Sequence, residues 1–68
     1  MYYFVPLEDN YILLSWLNMK LRNECKSFEQ LCERYNVKEE EILEKMKSIG
    51  YTYDNDLNKF TAIIKEDN

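Results

Sequence analysis

Between Ser27 and Gly50 the sequence SFEQLCERYNVKEEEILEKMKSIG holds two short amphipathic segments with only Asn36-Val37-Lys38 to join them. So short a connection forces two helices to fold back on each other, and the rest of the chain must pack around that pair. Phe28, Leu31, Cys32 and Tyr35 fall within about 100° of a helical wheel, so the first segment buries one face. Ser27 opens it as a capping box, its hydroxyl accepting from the backbone of Gln30 while Gln30 reaches back to Ser27. Asn36 stands where the helix must stop, and Asn tolerates the left-handed conformation that such a stop needs. Val37 plugs the turn. Lys38 is a poor N-cap, but Glu39, Glu40 and Glu41 compensate at the positive end of the next helix dipole. Ile42, Leu43, Met46 and Ile49 then recur at helical spacing, Lys45 and Lys47 suit the last turns, and Gly50 ends the segment. A small residue at Cys32, a turn at Asn36, a plug at Val37 and an aliphatic at Ile42 are together the requirements of a helix-turn-helix.

The flanks add one helix and a hairpin. Asp9 is a good N-cap for a helix over about 10–23, with Glu8 beside it. Its wheel shows two apolar stripes: Leu13, Leu14, Leu17 and Leu21 form one, and Ile12, Trp16 and Met19 form the other. Lys20 lies between them on one side, and Ser15, Asn18 and Arg22 fill the other gap. A helix with two apolar faces is either covered on both sides by its own chain or shared with a partner. After Gly50 the period changes to two. Tyr51 and Tyr53 alternate with Thr52, Asp54-Asn55-Asp56-Leu57-Asn58 is turn chemistry, and Phe60, Ala62 and Ile64 alternate again, which predicts a β-hairpin over 51–54 and 59–64. Met1 to Val5, aromatic and β-branched, suits a short strand closed by Pro6. The fold expected is therefore α+β: a three-helix, helix-turn-helix-like bundle followed by a C-terminal β-hairpin, with a short N-terminal strand, as one domain over 1–68.

Composition narrows the function. Nine Lys or Arg against thirteen Asp or Glu leave a net charge of −4 with no His. A surface that grips duplex DNA gains affinity by neutralising phosphates, so this balance counts against one. The exposed start of the third helix would carry Glu39, Glu40 and Glu41 towards phosphate, and the hairpin tip would carry Asp54 and Asp56. The basic residues open to a nucleic acid are Lys20, Arg22 and Lys26 around the end of the first helix, with Lys45 and Lys47 on the third. No apolar run is long enough for a membrane helix and the N-terminus lacks the features of a signal peptide, so a cytoplasmic protein is expected. Cys25 and Cys32 lack CxxC spacing and read as reduced thiols.

Catalytic chemistry has little to draw on. There is no His as base or metal ligand, no Gly-rich phosphate loop, and no Ser or Cys with an activating partner. Asp54-x-Asp56-x-Asn58 copies the opening of a calcium loop, but Lys59 and Lys65 stand where Gly and Glu are required, so a polar turn is the better reading. No enzyme, cofactor or metal is expected. The leading expectation is a protein-interaction module, an adaptor or a self-associating one, using Ile12, Trp16 and Met19 with Tyr2, Tyr3 and Phe4. The alternative is a winged-helix-type transcriptional regulator binding nucleic acid through the basic residues above.

The chain also resembles a bacterial family of small domains, domain of unknown function 4250. The resemblance rests on Leu13-Leu14-Ser15, Asn18-Met19-Lys20-Leu21-Arg22, Ser27-Phe28-Glu29-Gln30-Leu31-Cys32, Ile49-Gly50-Tyr51-Thr52-Tyr53-Asp54 and Leu57-Asn58-Lys59-Phe60, spanning about residues 7–60. Asn10 replaces a Pro frequent in the family, and Lys38 a capping Ser or Asp. The resemblance implies a stand-alone small domain and carries no activity, ligand or catalytic residue with it.

Overall fold

The computed structural model describes residues 5–63. The elements follow in the order α1 (Asn10–Asn23), α2 (Phe28–Tyr35), α3 (Glu39–Ser48), β1 (Tyr51–Asp54) and β2 (Lys59–Ala62). This is the α+β arrangement expected, three helices and then a two-stranded antiparallel hairpin. Of the strand expected over Met1 to Val5, only Val5 lies among the described residues. It is outside any strand, and its carbonyl accepts from the Leu7 N–H at 2.8 Å. Ile64 also lies outside the described residues, and β2 ends at Ala62.

The helix ends follow from local chemistry. Asp9 caps α1, its Oδ1 accepting from the backbone N–H groups of Tyr11 at 2.9 Å and Ile12 at 3.2 Å. Ser27 caps α2 through the Gln30 N–H at 3.1 Å. The return half of the capping box differs from expectation: Gln30 Oε1 accepts from the Lys26 N–H at 2.7 Å, one residue earlier than Ser27. Asn36 takes the left-handed conformation, φ 58° and ψ 49°, and the Val37 N–H then reaches the Cys32 carbonyl at 3.0 Å. Lys38 makes no side-chain cap, and α3 begins with its three glutamates instead. It ends at Ser48, one residue before the expected boundary, and Gly50 follows at φ 83°. That conformation is open to glycine at little cost and turns the chain into β1.

Leu13, Leu17 and Leu21 of α1 meet Phe28, Leu31 and Cys32 of α2, Ile42 and Met46 of α3, and Phe60 of β2 in one buried cluster. Each large aliphatic or aromatic side chain so buried contributes about 1.5–3 kcal/mol. Beyond the β1–β2 pairing, the hairpin packs β1 on α3 and β2 on α1. The register places Tyr53 opposite Phe60 and Tyr51 opposite Ala62. Phe28, Tyr53 and Phe60 close a three-ring cluster with centroids 5.2–5.5 Å apart.

Candidate functional site

Helix α1 divides cleanly around its axis. Leu13, Leu17 and Leu21 are buried, whereas Tyr11, Ile12, Ser15, Met19, Arg22 and Asn23 are exposed. These exposed residues occupy one arc of about 120° at helical spacing, so they form a continuous strip. Three of them are large and apolar: Tyr11 is 65% exposed, Ile12 57% and Met19 47%. Each end of the strip opens onto a groove. At the N-terminal end Val5, Pro6, Leu7 and Ile12 line an apolar hollow of about 410 Å3, bordered by Glu8 and Asp9. At the other end Met19, Arg22, Leu57 and Lys59 line a cleft of about 800 Å3 between α1 and the hairpin turn, and Leu57 is itself 59% exposed.

The floor of that cleft is held by two asparagines. Asn18 Oδ1 accepts from the Phe60 N–H at 2.7 Å, and its Nδ2 donates to the Phe60 carbonyl at 3.2 Å. Both backbone groups of Phe60 therefore point away from β1, as they do at a non-hydrogen-bonded pair of an antiparallel ladder. The side chain of Asn18 occupies the place that a third strand would take. Asn58, at φ 53°, donates through Nδ2 to the carbonyls of Leu21 at 3.1 Å and Cys25 at 3.2 Å. Its Oδ1 accepts from the Tyr53 hydroxyl, which in turn accepts from the Phe28 N–H at 3.2 Å. Cys25 lies two residues past the end of α1; the Leu21 carbonyl in its last turn and the Phe28 N–H that opens α2 are orphans within their own helices. Here the hairpin supplies the partners for both. Asp54 builds the turn that makes this reach possible, its Oδ1 accepting from the N–H groups of Asp56 at 2.9 Å and Leu57 at 3.2 Å.

Trp16 lies at the border of the strip. It is half-buried and meets Tyr35 edge-on, with ring centroids 4.8 Å apart. Lys20 Nζ lies 5.8 Å from the Trp16 centroid and 5.5 Å from that of Tyr35, and it pairs with Glu24 Oε2 at 2.9 Å. Glu24 Oε1 accepts from the Tyr35 hydroxyl at 2.9 Å, with Arg34 at 3.7 Å. The hydrogen bond to Glu24 raises the Lys20 ammonium above its usual range, and the same bond, followed by that from Tyr35, holds the Glu24 carboxyl below its own. Burial raises the Tyr35 phenol. It also pushes the Cys32 thiol up to about 12, so this cysteine is a core residue and no nucleophile at neutral pH.

The model of the family described as Domain of unknown function (DUF4250) matches residues 7–60. The chain belongs to the DUF4250 family. No curated protein matches it, and no solved structure does. Among the residues that carry the family resemblance, Asn18, Phe28, Tyr53, Asn58 and Phe60 hold α1, α2 and the hairpin together, while Ser15, Met19 and Arg22 lie on the exposed strip. The exposed side chain of Ile12 takes no part in those joints.

The residues expected to form a site are dispersed. Tyr2, Tyr3 and Phe4 lie outside the described residues. Ile12 and Met19 share the exposed strip, and Trp16 is engaged by Tyr35 and Lys20. Of the basic set, Lys20 is paired with Glu24, Arg22 and Lys26 are exposed near the end of α1, and Lys45 and Lys47 stand in the last turn of α3. Among the described residues no group of three His, Cys, Asp or Glu could hold a metal ion, and no helix is long and apolar enough to cross a membrane. Sequence reasoning placed Asn18 in a polar gap and Asn58 in a turn, and missed that both reach across the fold. Their backbone partners lie 33–42 positions away, and no local spacing signals them.

Proposed function

We propose that this DUF4250 domain is a non-catalytic, cytoplasmic protein-interaction module that binds through the outward strip of α1. The observation that carries this reading is the exposure of Tyr11, Ile12 and Met19 on one side of a helix whose other side is already buried. Single exposed apolar residues are ordinary, but three on one strip between two grooves make a patch of the kind that marks a contact surface. The non-catalytic part is supported by how the polar side chains are used: Asn18, Asn58, Tyr53 and Glu24 all join elements to one another. A photo-crosslinking residue at Ser15, compared in cells with one at the exposed Glu33 of α2, tests the reading. Protein adducts at Ser15 that are absent at Glu33 are expected. Equal labelling at the two positions, or nucleic-acid adducts at Ser15, would contradict it.

The second reading is nucleic-acid binding, favoured by the exposed Arg22, which lines clefts with both Lys26 and Lys59. Against it stand the pairing of Lys20 with Glu24 and the net charge of −4. It requires salt-dependent duplex binding that weakens when Lys20 and Arg22 become Ala. Absence of any duplex shift at low salt would remove it.

A further inference from the structure

Resting on the protein-interaction reading, we infer that the strip's occupant is a second copy of this chain, with two α1 helices crossing antiparallel at Ser15 in a two-fold dimer. The strip is self-complementary about that residue. Ser15 is small and exposed, so it lets two helices approach closely. Ile12 lies three positions before it and Met19 four after, so an antiparallel copy sets Ile12 of one protomer against the Met19 position of the other, and the reverse. The ends carry opposite charge. Exposed Glu8 and Asp9 precede the strip, and exposed Arg22 closes it with Lys59 across the cleft. Asp9 and Arg22 stand six and seven positions from Ser15, about 10 Å each way along a helix. Antiparallel overlap therefore joins acid to base at both ends, whereas parallel overlap joins like to like.

The grooves fit the same arrangement. The cleft of about 800 Å3 between α1 and the hairpin turn receives the second copy's Ile12 against Met19 and Leu57. The apolar hollow of about 410 Å3 beside Ile12 receives the second copy's Met19. Two-fold symmetry makes every such contact twice. A chain of net charge −4 repels its own copy in most orientations, so local pairing of opposite charge selects this one.

Sedimentation equilibrium on the full chain tests the inference. The mass is expected to rise from 8.3 kDa towards twice that value between low micromolar and near-millimolar concentration. Met19→Glu and Ser15→Arg are each expected to weaken association about tenfold or more. Arg22→Glu is expected to weaken it by about fivefold to tenfold, because the lost attraction and new repulsion occur at both ends. Combining Arg22→Glu with Glu8→Lys re-creates one opposite-charge pair with its sign inverted while Asp9 and Lys59 keep their charges, and recovers part of the lost association. All four positions are exposed, and an unchanged melting temperature confirms that the variants fold. A monomer at every concentration, a dimer indifferent to Ser15→Arg, or an Arg22→Glu defect that Glu8→Lys leaves in place would overturn the inference. A monomer whose Ser15 position crosslinks to a different protein overturns the dimer alone. A monomer with no protein adduct at that position overturns the broader reading as well.

Discussion

Two joints of the domain are held by different means. Between α2 and α3 a left-handed Asn36 and the buried neighbours Cys32 and Ile42 fix the turn within a few residues. Where the hairpin meets α1, side-chain amides of Asn18 and Asn58 bond to backbone groups far along the chain. The first joint uses backbone conformation and apolar burial. The second uses hydrogen bonds to groups that would otherwise be left unpaired, and losing a partner there exposes the full cost of an orphaned polar group. The two joints should therefore respond very differently to single substitutions.

The largest effect is expected at Asn58. Asn58→Ala removes both bonds to the Leu21 and Cys25 carbonyls and leaves a Cβ-bearing residue at φ 53° without a compensating side chain. A loss of about 2–4 kcal/mol follows, a large part of what a small domain has. Asn58→Gly relieves the backbone and keeps the bonding loss, so denaturant unfolding of the pair separates the two contributions. A glycine variant as stable as the parent would show that the bonds matter little. Next comes Asn18. Asn18→Ala orphans both backbone groups of Phe60 and should cost about 1–3 kcal/mol. Asn18→Asp keeps the acceptor for the Phe60 N–H but turns an anion on its carbonyl, so it should rescue little. At the other joint, Asn36→Ala is expected to cost only about 1 kcal/mol, from left-handed strain, and Asn36→Gly almost nothing. Equal losses at Asn36 and Asn58 would break the contrast.

These two joints also mark what the sequence discloses. Asn36, Val37, Ser27 and Asp9 act within five residues of themselves, so their roles can be read from spacing, and the helix starts at Asn10, Phe28 and Glu39 follow. The strip on α1 is half legible. Periodicity shows that Ile12, Trp16 and Met19 share a side, but only packing shows that Tyr35 takes up Trp16 while Ile12 and Met19 stay exposed. The reach of Asn58 is not legible at all, because an asparagine in a turn has the same local signature whether it faces water or a helix end. The partner of Gln30 moves by one residue for a similar reason: its reach depends on how the chain enters α2, which composition does not specify.

The smallest effect expected is pH dependence at the Lys20–Glu24–Tyr35 cluster. Glu24 titrates below its ordinary 4.5 in the folded state, so its contribution is complete above that value and is lost as pH falls through the lower one. Lys20 titrates above 10.5, so its contribution is complete below that value and is lost as pH rises past it. Tyr35, raised above 10.0, opposes ionisation in the folded state and adds to the alkaline loss. Thermal melts should show a plateau through neutrality with shallow falls at both ends. Glu24→Gln should flatten the acid limb, and an unchanged acid limb would show that other carboxylates set it.

The hairpin's role as a cap for two helices has a consequence for how the domain comes together. The Leu21 and Cys25 carbonyls wait for Asn58, 37 and 33 positions downstream, and the Phe28 N–H waits for Tyr53, 25 positions downstream. As the chain leaves the ribosome, α1 and α2 therefore remain unfinished until the hairpin through Asn58 has emerged. Loop closure over such separations has to precede the reward. The hairpin thus completes both helices, and a chain cut before Tyr53 is expected to show frayed helices with no cooperative melt.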